Sequence, residues 1–528
     1  MAKRQMKSLM RGAVILTLAA FLAKILSAIY RVPFQNLVGD VGFYVYQQIY
    51  PIYGVAMTLA LTGLPQFISK YIAEQDTLEK QKESLAELFP LLLWSGVGLW
   101  GLTFFGSDWI ARLMGDAHLA SLVRVVSFTF LLIPPLSLYR GVFQGNLEMI
   151  PTAVSQVLEQ IVRVGVILLA ALLFQRFQLS VYQTGSLAMS GALFGGLFAW
   201  GVLGYYEKKI FLGNLALTKG KSLKVTNRNL QRRFLLEGGL LSIYSGLLIL
   251  FQLIDSFGVT NSLQTLGFEQ EAAQIAKGVY DRGQPLVQLG LVAAMALSAS
   301  FLPTLTRYLM QKNQRKFLES ARIYLRLTIG IALPASVGLA LLLPYINYAL
   351  FTDTSGTPTL MIFVFSVALM ALIQAYQSIA QSKNHLKASF KAAGIGLGLK
   401  LGLTFALTMT LGTIGASLAT IIGLAAVLVM LVKNESTELN AFWQERYFGW
   451  RLSGCLVLMS ASIIVYCEGV VLLTGSQFHR GTALIISCFG VIVGGGVFLI
   501  SALKLRLLTI QEWLWLPGGK KILRFGKR

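Results

Sequence analysis

Long apolar segments, each about the length of a membrane-spanning helix, recur along the whole chain. A helix needs about 20 mostly apolar residues to cross the hydrocarbon core of a bilayer. The pattern therefore predicts an all-α polytopic membrane protein, with a connecting loop over residues 344–357. The fourteen predicted transmembrane helices cover residues 12–35, 44–72, 86–106, 118–142, 152–175, 181–206, 233–258, 275–306, 319–343, 358–382, 386–410, 412–433, 450–474 and 481–504.

The composition supports a membrane protein and argues against a soluble one. Of the 528 residues, 55% are hydrophobic and 13% are charged, whereas soluble proteins carry about 25% charged residues. The formal net charge of +22 would suit a nucleic-acid-binding protein, but the basic residues cluster in and beside the short connections between apolar segments. The bilayer is therefore the expected surrounding, and no nucleic-acid partner is expected.

The basic residues are distributed unevenly between the two sides of the predicted membrane. An even number of helices places both termini on one side, and the opposite side holds only Arg112, Arg176 and Arg480. Under the positive-inside rule this bias predicts a multi-pass membrane protein with cytoplasmic N- and C-termini. The longest cytoplasmic connection, residues 207–232, is also the most basic.

Weak internal similarity indicates that the first twelve helices form two related halves. Residues 139–144 resemble residues 376–381, and Arg163 matches Lys400 at the same offset along the chain. Six helices per half predict parallel repeats, with a substrate site between them near the membrane midplane. The predicted organisation comprises a first lobe at 1–206, a basic linker at 207–232, a second lobe at 233–433, and two further helices with a basic tail at 434–528.

The first predicted helix carries two cations on one face. Lys24, Ser27, Arg31 and Gln35 follow one another at steps of three and four residues and form a polar stripe. A cation at the bilayer centre costs roughly 2.5 to 3.5 kcal/mol on insertion scales, so such residues usually face a bundle interior. Lys24 lies about half-way along the helix and is predicted to face a cavity, whereas Arg31 and Gln35 either face it too or snorkel to the outer surface.

The eighth predicted helix also carries charges within the membrane. Lys277 and Asp281 are four residues apart and are predicted to neutralise each other. Arg282 points about 100° away from Asp281 around the helix axis and has no obvious local partner. It is predicted either to meet a substrate or to pair with another helix.

Four more ionisable residues lie deep in apolar segments, and together with Lys277 and Asp281 they are predicted to line a secondary cavity or to form ion pairs. Glu159 and Arg163, also four residues apart, are predicted to form a structural ion pair. Lys400 has no acid within one turn and is expected to be the more exposed member of its repeat match with Arg163. Asp255 either binds a coupling cation or pairs with a lysine.

The second predicted helix begins with a run of aromatic and amide side chains. Between Tyr44 and Gly54, four of the eleven residues are tyrosines and two are glutamines. Such a run is typical of an aromatic belt at the membrane interface. The alternative is that its hydroxyl and amide groups bind a sugar.

The cations within the membrane point to an anionic ligand. Arginine and lysine hold phosphate through charge-assisted hydrogen bonds, and arginine does so with two parallel bonds. The sequence shows no paired carboxylates, nucleophile–histidine pair, zinc-ligand spacing or phosphate-cradling glycine loop, so we expect a transporter without cofactor or metal and not an enzyme. The three cysteines predict no disulfide framework.

Several motifs resemble those of a known family. They are residues 10–39 in the first helix, 63–71 at the end of the second, 139–163 across the fourth and fifth, and 281–303 in the eighth. Together with the 6+6+2 helix arrangement, they resemble the MurJ/SpoVB-type proteins of the multidrug/oligosaccharidyl-lipid/polysaccharide exporter (MOP, MATE-like) superfamily, in its polysaccharide biosynthesis branch.

This resemblance implies a flippase for undecaprenyl-diphosphate-linked saccharides, with lipid II as the leading candidate. In that family, cavity cations contact the diphosphate, and Lys24, Arg31 and Arg282 match such positions, whereas the arginine usual in the second helix has no equivalent. Residues 450–504 would form a groove for the prenyl tail. The implied partners are a lipid-linked oligosaccharide and cell-wall synthesis enzymes, with the protein acting as a monomer. The alternatives are a cation-coupled MATE-type drug exporter and a non-transporting membrane scaffold for cell-wall enzymes.

Overall fold

The computed structural model describes residues 2–75, 77–211, 227–383, 386–474 and 479–515. Within these ranges the regular structure is helical and no strand occurs. The chain divides into two compact units, the first containing Met1–Asp281 with Lys400–Gly412 and the second containing Arg282–Leu399 with Thr413–Arg528. Two predicted features, most of the basic linker (212–226) and the basic tail (516–528), lie outside the described residues.

The first unit contains thirteen α-helices and the C-terminal half of a later one. They are α1 (Ala2–Ile29), α2 (Arg31–Thr58), α3 (Leu64–Ala73), α4 (Leu78–Phe105), α5 (Ser107–Leu113), α6 (Ala120–Ser127), α7 (Ile133–Gly145), α8 (Met149–Phe177), α9 (Val181–Phe211), α10 (Arg228–Arg233), α11 (Gly239–Ser245), α12 (Leu247–Thr265) and α13 (Gln270–Asp281).

The second unit contains the remaining helices. They are α14 (Gly283–Gly290), α15 (Val292–Met310), α16 (Gln314–Phe351), α17 (Thr357–Phe363), α18 (Ser366–Ser382), α19 (Leu386–Leu411), α20 (Thr413–Lys433), α21 (Thr437–Asn440), α22 (Phe448–Thr474), α23 (Arg480–Lys504) and α24 (Ile510–Trp515). Helix α19 passes from the second unit into the first at Lys400.

The first long apolar helix bends at a glycine. The segment Leu18–Ala73 is 56 residues long, or about 84 Å at 1.5 Å per residue, which is nearly three times the hydrocarbon thickness of about 30 Å. Within α2, Gly39 has a φ of 74°, a left-handed conformation that glycine adopts without steric cost. The two helices predicted over 12–35 and 44–72 lie on either side of this bend.

The predicted fold class is confirmed. Among the described residues, 12 helices are long and apolar enough to cross a membrane, or 13 if the bent pair Arg228–Ser245 and Leu247–Thr265 is one span. A count of fourteen additionally requires the 56-residue segment to cross twice, and stays a prediction. The lobe boundaries stay a prediction as well.

The structure differs from the prediction in two elements. The helix predicted over 233–258 is bent by 73° between α11 and α12, because Gly246 leaves the helical conformation with φ −98° and ψ 8°. The loop prediction over 344–357 is wrong, since α16 continues to Phe351. There Ile346 and Leu350 pack against a buried cluster that includes residues of α14 and α17, so tertiary packing keeps the chain helical despite Pro344.

Close packing between α8 and α9 positions two of the predicted site residues. Gly191 and Gly195 lie one turn apart on α9, and a Cβ on either would approach the backbone oxygen of Arg163 (2.9 Å) or Glu159 (2.7 Å). Small residues at such positions let helix backbones approach closely. The α8 turn that carries Glu159 and Arg163 is therefore held firmly against α9.

Candidate functional site

Two buried arginines and four tyrosines form a cluster in the first unit. Its members, here called the arginine–tyrosine cluster, come from the junction of α1 and α2, from the second half of α2, and from α8. They are Arg31, Arg163, Tyr30, Tyr46, Tyr50 and Tyr53, and all are buried. The cluster contains one residue of the predicted substrate site and one that was predicted to be structural.

Arg31 is fully buried, and no acidic side chain of the described residues forms an ion pair with it. Its relative exposure is 0%, and none of its three guanidinium nitrogens has a hydrogen-bond partner in the described part of the chain. Its Cζ lies 4.4 Å from the centre of the Tyr50 ring, a cation–π contact. The alternative that Arg31 snorkels to the surface is therefore wrong.

Arg163 lies over two rings of the same cluster. Its Cζ is 4.9 Å from the centre of the Tyr53 ring and 5.5 Å from that of Tyr30. One guanidinium nitrogen donates to the Ser27 hydroxyl at 3.0 Å, whereas Nε is buried without a partner among the described residues. Ser27 of the predicted polar stripe thus orients a cation of α8.

The predicted ion pair between Glu159 and Arg163 is wrong. Glu159 accepts a hydrogen bond of 2.6 Å from Arg140 instead, and Arg140 also donates to the backbone oxygen of Ala60 at 3.2 Å and to Ser155 at 3.4 Å. Arg140 comes from α7 and outcompetes a partner on the same helix because it can approach the carboxylate from a facing helix. Within the described ranges, the charge of Arg163 is left without an acidic partner.

The tyrosines pack against one another inside the protein. The ring centres of Tyr46 and Tyr50 are 6.3 Å apart and those of Tyr50 and Tyr53 are 5.8 Å apart, while the hydroxyls of Tyr30 and Tyr46 are 2.7 Å apart. An aromatic belt would place these side chains at the membrane surface. Their burial shows that the belt interpretation is wrong.

Lys24 and Gln35, the other two residues of the predicted polar stripe, have different surroundings from Arg31. Lys24 is partly exposed on α1, and Gln35 donates to the carboxylate of Asp40 beside the Gly39 bend. The stripe predicted from helical spacing therefore serves several different partners.

A second group of charges in the first unit is fully paired. Lys277 donates to Asp281 at 2.6 Å, as predicted. Lys400 pairs with Asp255, which also accepts a 2.9 Å hydrogen bond from Tyr280. We call these four ionisable residues and Tyr280 the paired-charge cluster.

The paired-charge cluster decides two predictions, one about the exposure of Lys400 and one about the partner of Asp255. Lys400 is completely buried, so the expectation that it is the more exposed member of its repeat match is wrong. For Asp255 the sequence left two alternatives, and the structure shows the lysine pair. Two bases and two acids leave this cluster without net charge.

Arg282 lies in the second unit and has acidic and aromatic partners there. It donates to both carboxylate oxygens of Asp353, at 2.7 and 2.9 Å, and its Cζ lies 4.9 Å from the centre of the Phe351 ring. Partial burial would raise the pKa of Asp353, but the hydrogen bonds from Arg282 and Ser355 outweigh it and hold the pKa below its usual range. The sequence left two alternatives for Arg282, a substrate contact or a pair with another helix. The structure shows a pair with Asp353, which lies in the connection just after α16.

The sequence analysis misses three features of these sites. Arg140 lies in the motif at residues 139–163, but its spacing does not point to Glu159 as its partner. Asp353 lies in a predicted loop, and the predicted pair of Arg163 with Glu159 hides the fact that Arg163 has no acidic partner among the described residues. The available signal was the excess of deep bases over deep acids, which requires at least one base to lack an acidic partner.

The arginine–tyrosine cluster and the paired-charge cluster therefore differ in electrostatics. Neither Arg31 nor Arg163 forms an ion pair with an acidic side chain of the described residues. A buried charge is costly unless it is paired, and aromatic faces compensate it only in part. The arginine–tyrosine cluster is thus suited to accept an anion, and its aromatic rings add apolar contact area.

Comparison with known proteins agrees with the fold. The profile of the family described as "Polysaccharide biosynthesis protein" matches residues 9–309. The uncharacterized membrane protein YabM of Bacillus subtilis (strain 168) is 36% identical over 522 residues, covering 98% of this chain and 96% of YabM. From the same organism, the lipid II flippase MurJ is 25% identical (97% and 98% covered) and stage V sporulation protein B is 24% identical (98% and 99% covered).

Two solved structures share the fold. The lipid II flippase MurJ in an inward closed conformation matches with a TM-score of 0.67 at 16% identity, covering 93% of this chain and 99% of that one. An inward-facing multidrug resistance MATE family transporter of the MOP superfamily matches with a TM-score of 0.62 at 15% identity, covering 80% and 96%. The resemblance found in the sequence motifs is confirmed, and the chain belongs to the polysaccharide biosynthesis protein family.

Proposed function

We propose that this protein is a flippase for an undecaprenyl-diphosphate-linked saccharide. It moves the headgroup from the cytoplasmic to the outer leaflet of the bacterial plasma membrane by alternating access, for the synthesis of peptidoglycan or another cell-surface polysaccharide. Lipid II is the first substrate to test, because a relative aligned over nearly its whole length bears the name lipid II flippase.

The observation that carries this proposal is the buried, uncompensated guanidinium of Arg31. Its three nitrogens are buried and lack acceptors in the described residues, so a phosphate oxygen would satisfy hydrogen bonds that the protein leaves unmade. Arginine binds phosphate with two parallel, charge-assisted hydrogen bonds. Such groups replace the water that a diphosphate loses when it enters the membrane.

We propose that Lys24 and Arg282 also contact the headgroup, and different observations support the two residues. Lys24 is partly exposed on the helix that leads to Arg31, which suits a residue that meets the headgroup early. Arg282 is held by Asp353 with two hydrogen bonds, so it would contact a phosphate only after exchanging that partner.

The charge distribution argues against the two alternatives. A cationic drug needs a carboxylate that is not already neutralised, yet Glu159, Asp255 and Asp281 each have a basic partner. A membrane scaffold would have no use for the unsatisfied guanidinium of Arg31, because an unpaired buried charge only destabilises the protein.

A leaflet-specific assay tests the proposal. The full-length protein is expressed in cells depleted of their own lipid II flippase, and lipid II in the outer leaflet is measured. We expect the wild-type protein to restore translocation and Arg31→Ala to abolish it. If the protein restores the translocation of another lipid-linked saccharide but not that of lipid II, its substrate is that other saccharide.

A matched control separates loss of binding from loss of folding. The double variant Lys277→Met/Asp281→Leu also removes a buried cation, together with its acidic partner, and replacing a buried ion pair by apolar residues is often neutral. It should therefore retain translocation. Equal activity of wild type, Arg31→Ala and the control would rule out Arg31 as a substrate ligand.

A further inference from the structure

Arg163 repeats the unusual situation of Arg31. Both guanidinium groups are buried and both lie over tyrosine rings. All three nitrogens of Arg31 and the Nε of Arg163 lack acceptors in the described part of the chain. The carboxylate nearest in sequence, Glu159, is occupied by Arg140. Among the described residues, the arginine–tyrosine cluster therefore holds two positive charges and no acidic side chain pairs with either.

We propose that Arg163 binds the same anion as Arg31, so that the arginine–tyrosine cluster is a two-arginine site for a diphosphate. This inference rests on the proposed function and deepens it, because it assigns to the diphosphate site a residue of α8 that helical spacing had paired with Glu159. In this proposal Arg31 holds one phosphoryl group and Arg163 holds the adjacent one.

The two cations lie over neighbouring rings of one buried cluster. Arg31 lies over Tyr50 at 4.4 Å and Arg163 lies over Tyr53 at 4.9 Å, and the centres of these two rings are 5.8 Å apart. Two like charges in one buried cluster repel each other, because no water screens them. A ligand with negative charge on two adjacent groups relieves that repulsion better than a single phosphate can.

The surrounding contacts fix Arg163 in this position. Ser27 accepts one of its hydrogen bonds at 3.0 Å, and the backbone at Arg163 lies against Gly191 of α9. A rigid guanidinium loses little entropy when it binds, which favours selectivity for one ligand geometry. All members of the cluster are buried, so a ligand reaches them only when the surrounding helices separate.

Selectivity between a diphosphate and a monophosphate tests the inference. The purified full-length protein is titrated with farnesyl diphosphate and with farnesyl monophosphate, and the dissociation constants are measured. We expect the wild type to prefer the diphosphate by about tenfold or more, because only the diphosphate offers a second phosphoryl group for charge-assisted hydrogen bonds from Arg163. Arg163→Gln should lose this preference while still binding the monophosphate through Arg31.

Two further variants control for folding. Arg163→Lys keeps the charge and should retain part of the preference, which a merely structural loss would not reproduce. The paired-charge variant Lys277→Met/Asp281→Leu should keep the full preference. An unchanged preference in a folded Arg163→Gln protein would overturn the inference, as would equal loss in the paired-charge variant.

The remaining comparisons identify the source of the diphosphate and separate this inference from the proposed function. Weaker binding of inorganic pyrophosphate than of farnesyl diphosphate supports a lipid headgroup, and equal binding overturns it. If the wild type restores lipid II translocation and Arg163→Gln does so equally well, the inference fails alone. If diphosphate preference depends on Arg163 but no lipid-linked saccharide is translocated, the proposed function fails alone.

Discussion

The arginine–tyrosine cluster and the paired-charge cluster handle buried cations in opposite ways. In the paired-charge cluster every base contacts an acid, as Lys277 does Asp281 and Lys400 does Asp255. In the arginine–tyrosine cluster, Arg31 and Arg163 contact aromatic faces and no acid of the described residues. The contrast teaches that a cation within the membrane indicates a ligand only when its charge is left uncompensated.

Breaking a pair in the paired-charge cluster should have the largest effect on stability. Asp255→Ala strands the ammonium of Lys400, which is fully buried, and removal of one partner of a buried ion pair costs about 3 to 5 kcal/mol. We expect a marked fall in the thermal unfolding temperature of the purified protein in detergent. The double variant Asp255→Leu/Lys400→Met should recover most of it, and an undiminished unfolding temperature in Asp255→Ala would contradict the structural role of the pair.

Removing a cation from the arginine–tyrosine cluster should produce the opposite pattern. Arg31→Met removes a buried charge that has no acidic partner, so the protein should be as stable as the wild type or more stable. Translocation of the lipid-linked saccharide should nevertheless fall about tenfold or more, because charge-assisted hydrogen bonds to phosphate are lost. Unfolding temperature and leaflet assay are measured on the same variant. A loss of stability as large as in Asp255→Ala would erase the distinction between the two clusters.

The sequence revealed the helices and the local ion pair but not the long-range partners. Segment length and hydropathy suffice for a membrane-spanning helix, and Lys277–Asp281 follows from a four-residue spacing. Arg140 and Glu159 are 19 residues apart and Lys400 and Asp255 are 145 residues apart, so these pairs depend on which helices pack together.

The same limitation explains the errors at the site. Glu159 has two arginines within reach, and spacing favours Arg163 whereas packing of α7 on α8 selects Arg140. The run of tyrosines in α2 has the composition of an interfacial belt, and only its burial shows otherwise. Periodicity identifies the face of a helix, but it does not tell what the face contacts.

A smaller effect is expected from the ring beneath Arg31. A cation–π contact contributes about 0.5 to 2 kcal/mol, so Tyr50→Phe should keep the contact and Tyr50→Leu should lose it. A double-mutant cycle of Tyr50→Leu with Arg31→Met isolates the pair from the cavity that the smaller side chain leaves. The coupling free energy of unfolding should be about 1 kcal/mol. Simple additivity of the two variants would show that the ring does not stabilise the guanidinium.

The smallest effect is expected at Arg282, whose partner Asp353 is partly exposed and lies just after the end of α16. The hydrogen bonds from Arg282 and Ser355 hold the pKa of Asp353 below its usual range despite partial burial. A carboxyl with a depressed pKa in the folded state stabilises the protein fully above its unfolded pKa of about 3.9, and that contribution disappears as the pH falls through the folded value. The wild type should therefore be slightly more stable than Asp353→Asn from pH 5 to 8, and the difference should shrink below pH 4. A difference that instead grows on acidification would show that Asp353 is not held ionised by Arg282, and Arg282 would then resemble the uncompensated Arg31 and not the paired cations.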